Sequence, residues 1–261
     1  MNLSLNGHTA VVCGSSQGIG LATAQELALL GCSCILVARN EVSLKESLAT
    51  LAADAGQKHS YFIADFSLPE KLKETAAREL AGKTISILVN NTGGPPAGPI
   101  TDAAEEDFID TFNRHVICAH VLSKIVVPGM RQQQFGRIIN IISTSVRIPL
   151  RNLGVSNTIR GAMASWAKTM SNELAGDGIT VNNVLPGFTK TQRLEVLIKN
   201  MAAKRGISEE EITKEMQTEV PARRFADAAE VASMAAFLAT PAASYINGVS
   251  IPVDGGRTGS I

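Results

Sequence analysis

The feature that most constrains this chain is a regular alternation of short, unbroken apolar runs with longer segments of helical period. The stretches "TAVVCG" (9–14), "SCILVA" (33–38), "HSYFIAD" (59–65), "ISILVN" (85–90), "GRIINIIS" (136–143), "GITVNNVLP" (178–186) and "NGVSIPVDGG" (247–256) read as strands. Between them, helical patterns run over 20–31, 41–56, 68–82, 104–130, 152–175, 191–217 and 227–239. A strand that is apolar on both sides must be covered on both faces. Helices between successive strands supply that cover, and right-handed crossovers wind them to alternate faces of a parallel sheet. The expectation is an α/β, doubly wound sheet. No linker or repeat interrupts it, so one domain is expected over 1–261. The charged stretch at about 191–220 is the odd piece, read either as a solvated helical insertion or as a lid-like one.

Composition excludes several alternatives. Lysine plus arginine equals aspartate plus glutamate, 24 against 24, so net charge points to neither nucleic acid nor an anionic membrane surface. No apolar run approaches the ~20 residues of a membrane span. The first residues, "MNLSLNGHTAVVCG", lack the basic and small-residue features of a secretion signal. Cys13, Cys32, Cys34 and Cys118 have no paired metal spacing, so no metal site is expected. They read as reduced, buried thiols, and the expected location is cytoplasmic.

After the first strand comes "CGSSQGIG", in which Gly14, Ser15, Ser16, Gln17, Gly18, Ile19 and Gly20 form a glycine-rich turn leading into a helix. Such a turn lets backbone approach a pyrophosphate, and the helix offers free N–H groups and the positive end of its dipole. Its spacing is G-x-x-x-G-x-G, and its place between strand and helix is what gives it weight. Arg39 ends the second strand, where an arginine favours a 2′-phosphate and an acid would favour a 2′-hydroxyl. NADP(H) is therefore expected over NAD(H); the alternative is a solvated strand-end charge. Asp65, followed by Phe66, ends the third strand and reads either as an acceptor for the adenine amine or as a turn residue.

From "NNTG" (90–93) onward the chain resembles the short-chain dehydrogenases/reductases, and the similarity extends over essentially its whole length. "CGSSQGIG" resembles that family's glycine motif. "NNTG", with Asn91 and Gly93, resembles the motif that steadies the central sheet beside the cofactor. "GRIINIIS" puts Ser143 at the active-site serine. "PGFTKT" supplies Pro186, Gly187, Thr189 and Thr191 at the segment whose threonine contacts the nicotinamide carboxamide, and "PVDGG" resembles the closing strand. The resemblance implies a Rossmann-type sheet of seven strands, a nicotinamide cofactor, a small carbonyl or alcohol substrate, and a homotetramer or homodimer.

The chain departs from the pattern at the acid end. The family carries Tyr-x-x-x-Lys thirteen residues after the serine, whereas here that position is Ser156 and the one four later is Arg160. The fourth usual member, an asparagine on the long helix, falls at His115. A serine is a poorer and shorter acid than a tyrosine. Arg160 keeps a charge and a fork that binds ribose hydroxyls or clamps an anion. His115 has an unperturbed pKa of ~6.5, suited to proton exchange, although a packed structural histidine is the plainer reading. Three readings follow: an NADPH-dependent oxidoreductase with a rearranged proton donor, a binding protein or inactive subunit on the same fold, and a lyase or isomerase holding an anion on Arg160.

Overall fold

The computed structural model describes residues 1–260. Its centre is a seven-stranded, wholly parallel sheet in the order β3-β2-β1-β4-β5-β6-β7. The strands are β1 (Thr9–Cys13), β2 (Ser33–Ala38), β3 (Ser60–Ile63), β4 (Ile87–Asn90), β5 (Gly136–Ile141), β6 (Ile179–Pro186) and β7 (Ser250–Val253). The helices are α1 (Gly18–Leu29), α2 (Glu41–Leu48), α3 (Pro69–Glu79), α4 (Glu105–Phe112), α5 (Cys118–Gln133), α6 (Gly154–Leu174), α7 (Gln192–Arg205), α8 (Glu209–Thr218) and α9 (Ala228–Ala239). Strand order reverses direction at β1, so the carboxyl ends of β1 and β4 border the crevice where a ligand binds in such sheets.

Two large apolar clusters lie on opposite faces of the sheet. On one, Val12, Leu36, Val89 and Ile139 pack against Ala24 and Leu27 of α1 and Val231 and Ala235 of α9. On the other, Val11, Val37, Leu88 and Ile138 pack against Leu72 of α3 and Leu122 and Val126 of α5. Successive residues of one strand thus serve opposite faces, which is why the strands read as continuous apolar runs. All four cysteines are free and buried. Among the described residues no helix is long and apolar enough to cross a membrane, and no cluster of histidine, cysteine or acidic groups is arranged to hold a metal ion.

Several elements differ from their sequence-based outlines. The helix expected over 41–56 stops at Leu48, and the chain then turns toward β3. Gln57 donates to the Ala28 carbonyl at 2.8 Å and the His59 ring meets the Ala52 carbonyl at 2.8 Å, which fixes that turn. The long helix expected over 104–130 is interrupted by one π-helical stretch, Asn113–Ile117, between α4 and α5. The wider turn brings the adjacent residues His115 and Val116 both inward. The pattern over 191–217 divides into α7 and α8 at Gly206, whose φ of 66° closes the first helix. These two helices have a small core of their own, with Leu194, Ile198, Ala202, Ile212 and Met216 around Phe225.

Candidate active site

The carboxyl ends of the strands open into a cleft of about 1080 Å³. That volume is just above the range of about 300–1,000 Å³ usual for the pocket of a drug-sized ligand.

At one end of the cleft stands the glycine turn. Gly14 and Gly18 have φ of 59° and 57°, in the left-handed region. Gly20 serves by size: a Cβ there would lie 2.2 Å from the Gly14 carbonyl oxygen and 2.7 Å from Asn91 Nδ2. Asn91 Nδ2 donates to the carbonyls of Cys13 and Gly14 at 3.3 and 3.2 Å, so the ends of β1 and β4 are tied through one side chain. Helix α1 begins after Gln17 with no side-chain cap and no acid in its first turn. Its leading N–H groups are the kind of donor array that an anion satisfies.

The other residues singled out in the sequence fall as follows. Ser16, Gln17, Gly18, Ile19, Arg39, Asp65 and Phe66 border the cleft at the glycine-turn end. Ser15 does not, because it is fully buried and its Oγ accepts the Val37 N–H at 2.9 Å, stitching the turn to β2. Asp65 is at the wall, but its Oδ1 accepts both the backbone N–H and the hydroxyl of Ser67 at 2.8 Å, a turn role. Burial raises its pKa; the Ser67 bonds and the charges of Arg39 and Arg114 outweigh that and hold it below the usual carboxylate value. Gly93, Pro186, Gly187, Thr189 and Thr191 border the cleft farther along.

At the opposite end, Ser143, Ser156 and Arg160 share the wall. Ser143 caps a short 3-10 turn by accepting the Ser145 N–H at 3.1 Å. Ser156 and Arg160 stand one turn apart on the buried face of α6. Arg160 donates from Nη1 to the Ile141 carbonyl at 2.9 Å, at the end of β5. It is only 7% exposed, and burial, with the Arg193 charge second, pulls its pKa down to about 9. Neither tyrosine lines the cleft. Tyr61, in β3, donates to Glu41 at the start of α2 at 3.0 Å, and Tyr245 is fully exposed.

His115 is absent from the cleft wall. It lines a small, mixed polar and apolar cavity of about 10 Å³ behind it, together with Thr92, Arg114, Arg160, Ile142 and Met163. Its Nδ1 lies 2.6 Å from Thr92 Oγ1. Burial first, then Arg160 and Arg193, push its pKa well below the ordinary histidine value. The ring is therefore neutral near pH 7. Its protonation is a stability matter: with the folded-state pKa depressed, the unfolded chain binds the proton first. Stability falls as pH drops below about 6.5, by at most about 1.4 kcal/mol per pH unit from this group. Between about pH 7.5 and pH 5.5 the wild-type melting temperature should therefore drop more than that of His115→Asn. Equal drops in thermal melts would remove His115 as the source.

Two site residues had no distinguishing signal in the sequence. Arg193, the second residue of α7, extends across to the loop after β4, where its guanidinium lies over Gly94 and donates to the Pro95 carbonyl at 3.4 Å. Arg114, on the π turn, also reaches the cleft, and its Nε is buried with no hydrogen-bond partner. One is an ordinary charge in a polar segment and the other precedes His115, so only the fold brings them together.

This geometry has close counterparts. A family model described as enoyl-(acyl carrier protein) reductase matches residues 14–258. A tropinone reductase homolog of Arabidopsis thaliana is 36% identical over 258 residues, covering 98% of this chain and 91% of the relative. The NADPH-dependent reductase BacG of Bacillus subtilis is 32% identical over 265 residues, covering 97% and 98%. Among solved structures, L-sorbose reductase from Gluconobacter frateurii, complexed with NADPH and L-sorbose, superposes with a TM-score of 0.93 at 30% identity, covering 100% of both chains. Sheet order, glycine turn and full-length similarity agree, and the chain belongs to the short-chain dehydrogenase/reductase family.

Proposed function

We propose that this chain is an NADP(H)-dependent oxidoreductase that interconverts a carbonyl and an alcohol and uses serine hydroxyls where a tyrosine is usual. The observation that carries the reading is one continuous cleft. It joins the uncapped start of α1 and Arg39 at one end to Ser143, Ser156 and Arg160 at the other. The residues fit the cofactor: Gly14 and Gly18 border the cleft with left-handed φ that keeps bare backbone facing it, Gly20 lets α1 pack close against that turn, and Arg39 takes part in no ion pair among the described residues. Relatives described as NADPH-dependent or complexed with NADPH support the same choice.

In this reading Gly14, Gly18 and the first N–H groups of α1 receive the diphosphate, and Arg39 receives the 2′-phosphate. The cofactor, when bound, supplies the hydride to the carbonyl carbon. Ser143 and Ser156 donate hydrogen bonds to the carbonyl oxygen, and the proton reaches that oxygen through Ser156 from the solvent of the open cleft. Arg160 holds positive charge beside the oxygen as it becomes an alkoxide. Neutral, buried His115 acts as a positioning residue: it fixes Thr92 in the loop that borders the cleft. Helices α7 and α8 serve as a cover, since α7 contributes Arg193, Leu194 and Leu197 to the cleft wall.

Titration of the pure protein with NADPH and with NADH, followed by nicotinamide fluorescence, tests the cofactor end. NADPH should bind at least tenfold more tightly, since a charge-assisted pair contributes about 1.5–3 kcal/mol. Arg39→Asp should erase that preference by weakening NADPH and sparing NADH. Equal binding of both cofactors by the wild type would remove the 2′-phosphate assignment. The absence of a tyrosine from the cleft favours one competing reading, a dinucleotide-binding protein without turnover. Substrate-dependent NADPH consumption by the pure protein against a panel of carbonyl compounds decides between them.

A further inference from the structure

The reducing end of the cleft holds more positive charge than a nicotinamide cofactor calls for. Among the described residues six cationic side chains line the cleft, Arg39, Arg114, Arg160, Lys190, Arg193 and Arg257, against the one carboxylate of Asp65. Two of them are neutralised from outside: Lys190 pairs with Asp227 at 2.9 Å and Arg257 with Glu219 at 2.8 Å. Arg39 stands at the adenosine end. That leaves Arg114, Arg160 and Arg193 around His115, and among the described residues none of the three is in an ion pair.

Their hydrogen bonding is just as incomplete. Across three guanidinium groups the structure shows two bonds, Arg160 to the Ile141 carbonyl and Arg193 to the Pro95 carbonyl, while Arg114 Nε is buried and unpartnered. Asp65 offers little relief. Its charge is felt with Arg39 and Arg114, and its Oδ1 is already held by Ser67. Arg160 is buried beside a second cation, Arg193, and no acidic group among the described residues offsets them. A buried cation beside a like charge is costly unless an anion completes it. The nicotinamide and its ribose bring no negative charge to this place, and the diphosphate has its own site at the start of α1.

We infer that the missing partner is the substrate's own: Arg160 and Arg193 form a site for a carboxylate, so the preferred substrate is a keto acid or the matching hydroxy acid. This rests on the oxidoreductase reading and narrows it. Arg193, open at the cleft mouth on α7, presents its planar fork to both carboxylate oxygens, and Arg160 and Arg114 supply the surrounding positive potential. Because α7 belongs to the cover, a bound carboxylate also draws that helix toward the reacting end.

The test compares pyruvate, acetoacetate and levulinate with their methyl esters, by calorimetric binding to the protein–NADPH complex and by NADPH consumption. Each pair has the same carbonyl and differs in charge. At least one acid should bind about tenfold to hundredfold more tightly than its ester, the span of one to two charge-assisted hydrogen bonds. Arg193→Gln should abolish that advantage and Arg193→Lys should retain part of it, because lysine keeps the charge and loses the fork. NADPH affinity, measured separately on each variant, distinguishes the sources of negative charge. If Arg193→Gln weakens NADPH as much as it weakens the acid, the anion held there is the cofactor's diphosphate and the inference falls. If NADPH binds and no acid differs from its ester, the inference falls and the oxidoreductase reading stands. If NADPH itself fails to bind, both fall.

Discussion

Gly20→Ala should abolish useful NADPH binding while removing no contact that a cofactor could make. The added methyl would stand 2.2 Å from the Gly14 carbonyl oxygen, 2.8 Å from the Gly14 carbonyl carbon and 2.7 Å from Asn91 Nδ2. Real Cβ atoms do not approach backbone so closely, so α1 must move away from β1 by roughly 1 Å to reach an ordinary contact. Asn91 cannot yield without losing its bonds to the carbonyls of Cys13 and Gly14. Overpacking of this kind costs about 1–3 kcal/mol of stability. The larger effect is on binding: N–H groups moved by about 1 Å lose charge-assisted hydrogen bonds to the diphosphate, each contributing about 1.5–3 kcal/mol, or on the order of tenfold to a hundredfold. Fluorescence titration should show at least that loss, with a modest fall in melting temperature. Gly161→Ala is the matched control. A Cβ there meets nothing within 4 Å, and the residue lies inside α6. Higher helix propensity should stabilise that variant by about 0.5–1 kcal/mol and leave NADPH binding unchanged. Unaltered NADPH affinity in Gly20→Ala would mean that the first turn of α1 does not hold the cofactor.

Asn140→Leu should be the most destabilising single change in the sheet. Asn90, Asn140, Asn183 and Ser250 lie side by side in the register of β4, β5, β6 and β7. Their side chains form one lateral chain: Asn90 Nδ2 donates to Asn140 Oδ1 at 2.9 Å, Asn140 Nδ2 to Asn183 Oδ1 at 2.9 Å, and Asn183 Nδ2 to Ser250 Oγ at 3.0 Å. Asn140 has no exposed surface, and Asn90 and Asn183 are also buried. Leucine at 140 leaves a donor on Asn90 and an acceptor on Asn183 without partners, each costing about 1–3 kcal/mol. A loss of about 4 kcal/mol is a large share of the 5–15 kcal/mol that such a domain has. Chemical denaturation should show it as a lower midpoint at unchanged slope. Asn140→Asp should fall between leucine and wild type, since a carboxylate still accepts from Asn90 but turns a lone pair toward Asn183 Oδ1. If leucine and aspartate cost the same, the lateral chain contributes nothing as a connected network.

Much of the fold was legible because its signals are local. Unbroken apolar strands, intervening helical period and a glycine-rich turn depend on residues a few positions apart. The errors in the helices came from places where tertiary contacts override that period. Helix α2 stops at Leu48 because Gln57 and His59 anchor the following turn to α1 and Ala52. The π turn at Asn113–Ile117 changes which side chains face inward without altering the apolar pattern around it. The same shift separates His115 the sequence candidate from His115 as it stands, buried behind the cleft wall and bonded to Thr92. Ser15 shows the effect on a smaller scale, since its place in the glycine turn says nothing about its hydroxyl pointing to Val37.

By itself the sequence determined the order and type of the elements, the position of the glycine-rich turn, the family, and the presence of Ser156 and Arg160 thirteen and seventeen residues after Ser143. These follow from short-range periodicity and from residue identity at counted spacings. Only the tertiary structure decided which charges meet. Arg114, Arg160 and Arg193 come from the π turn, α6 and α7, far apart in the chain, and converge because a parallel sheet gathers its strand ends along one edge. Whether a cation is neutralised depends on that convergence and on burial, and neither is a property of neighbouring residues.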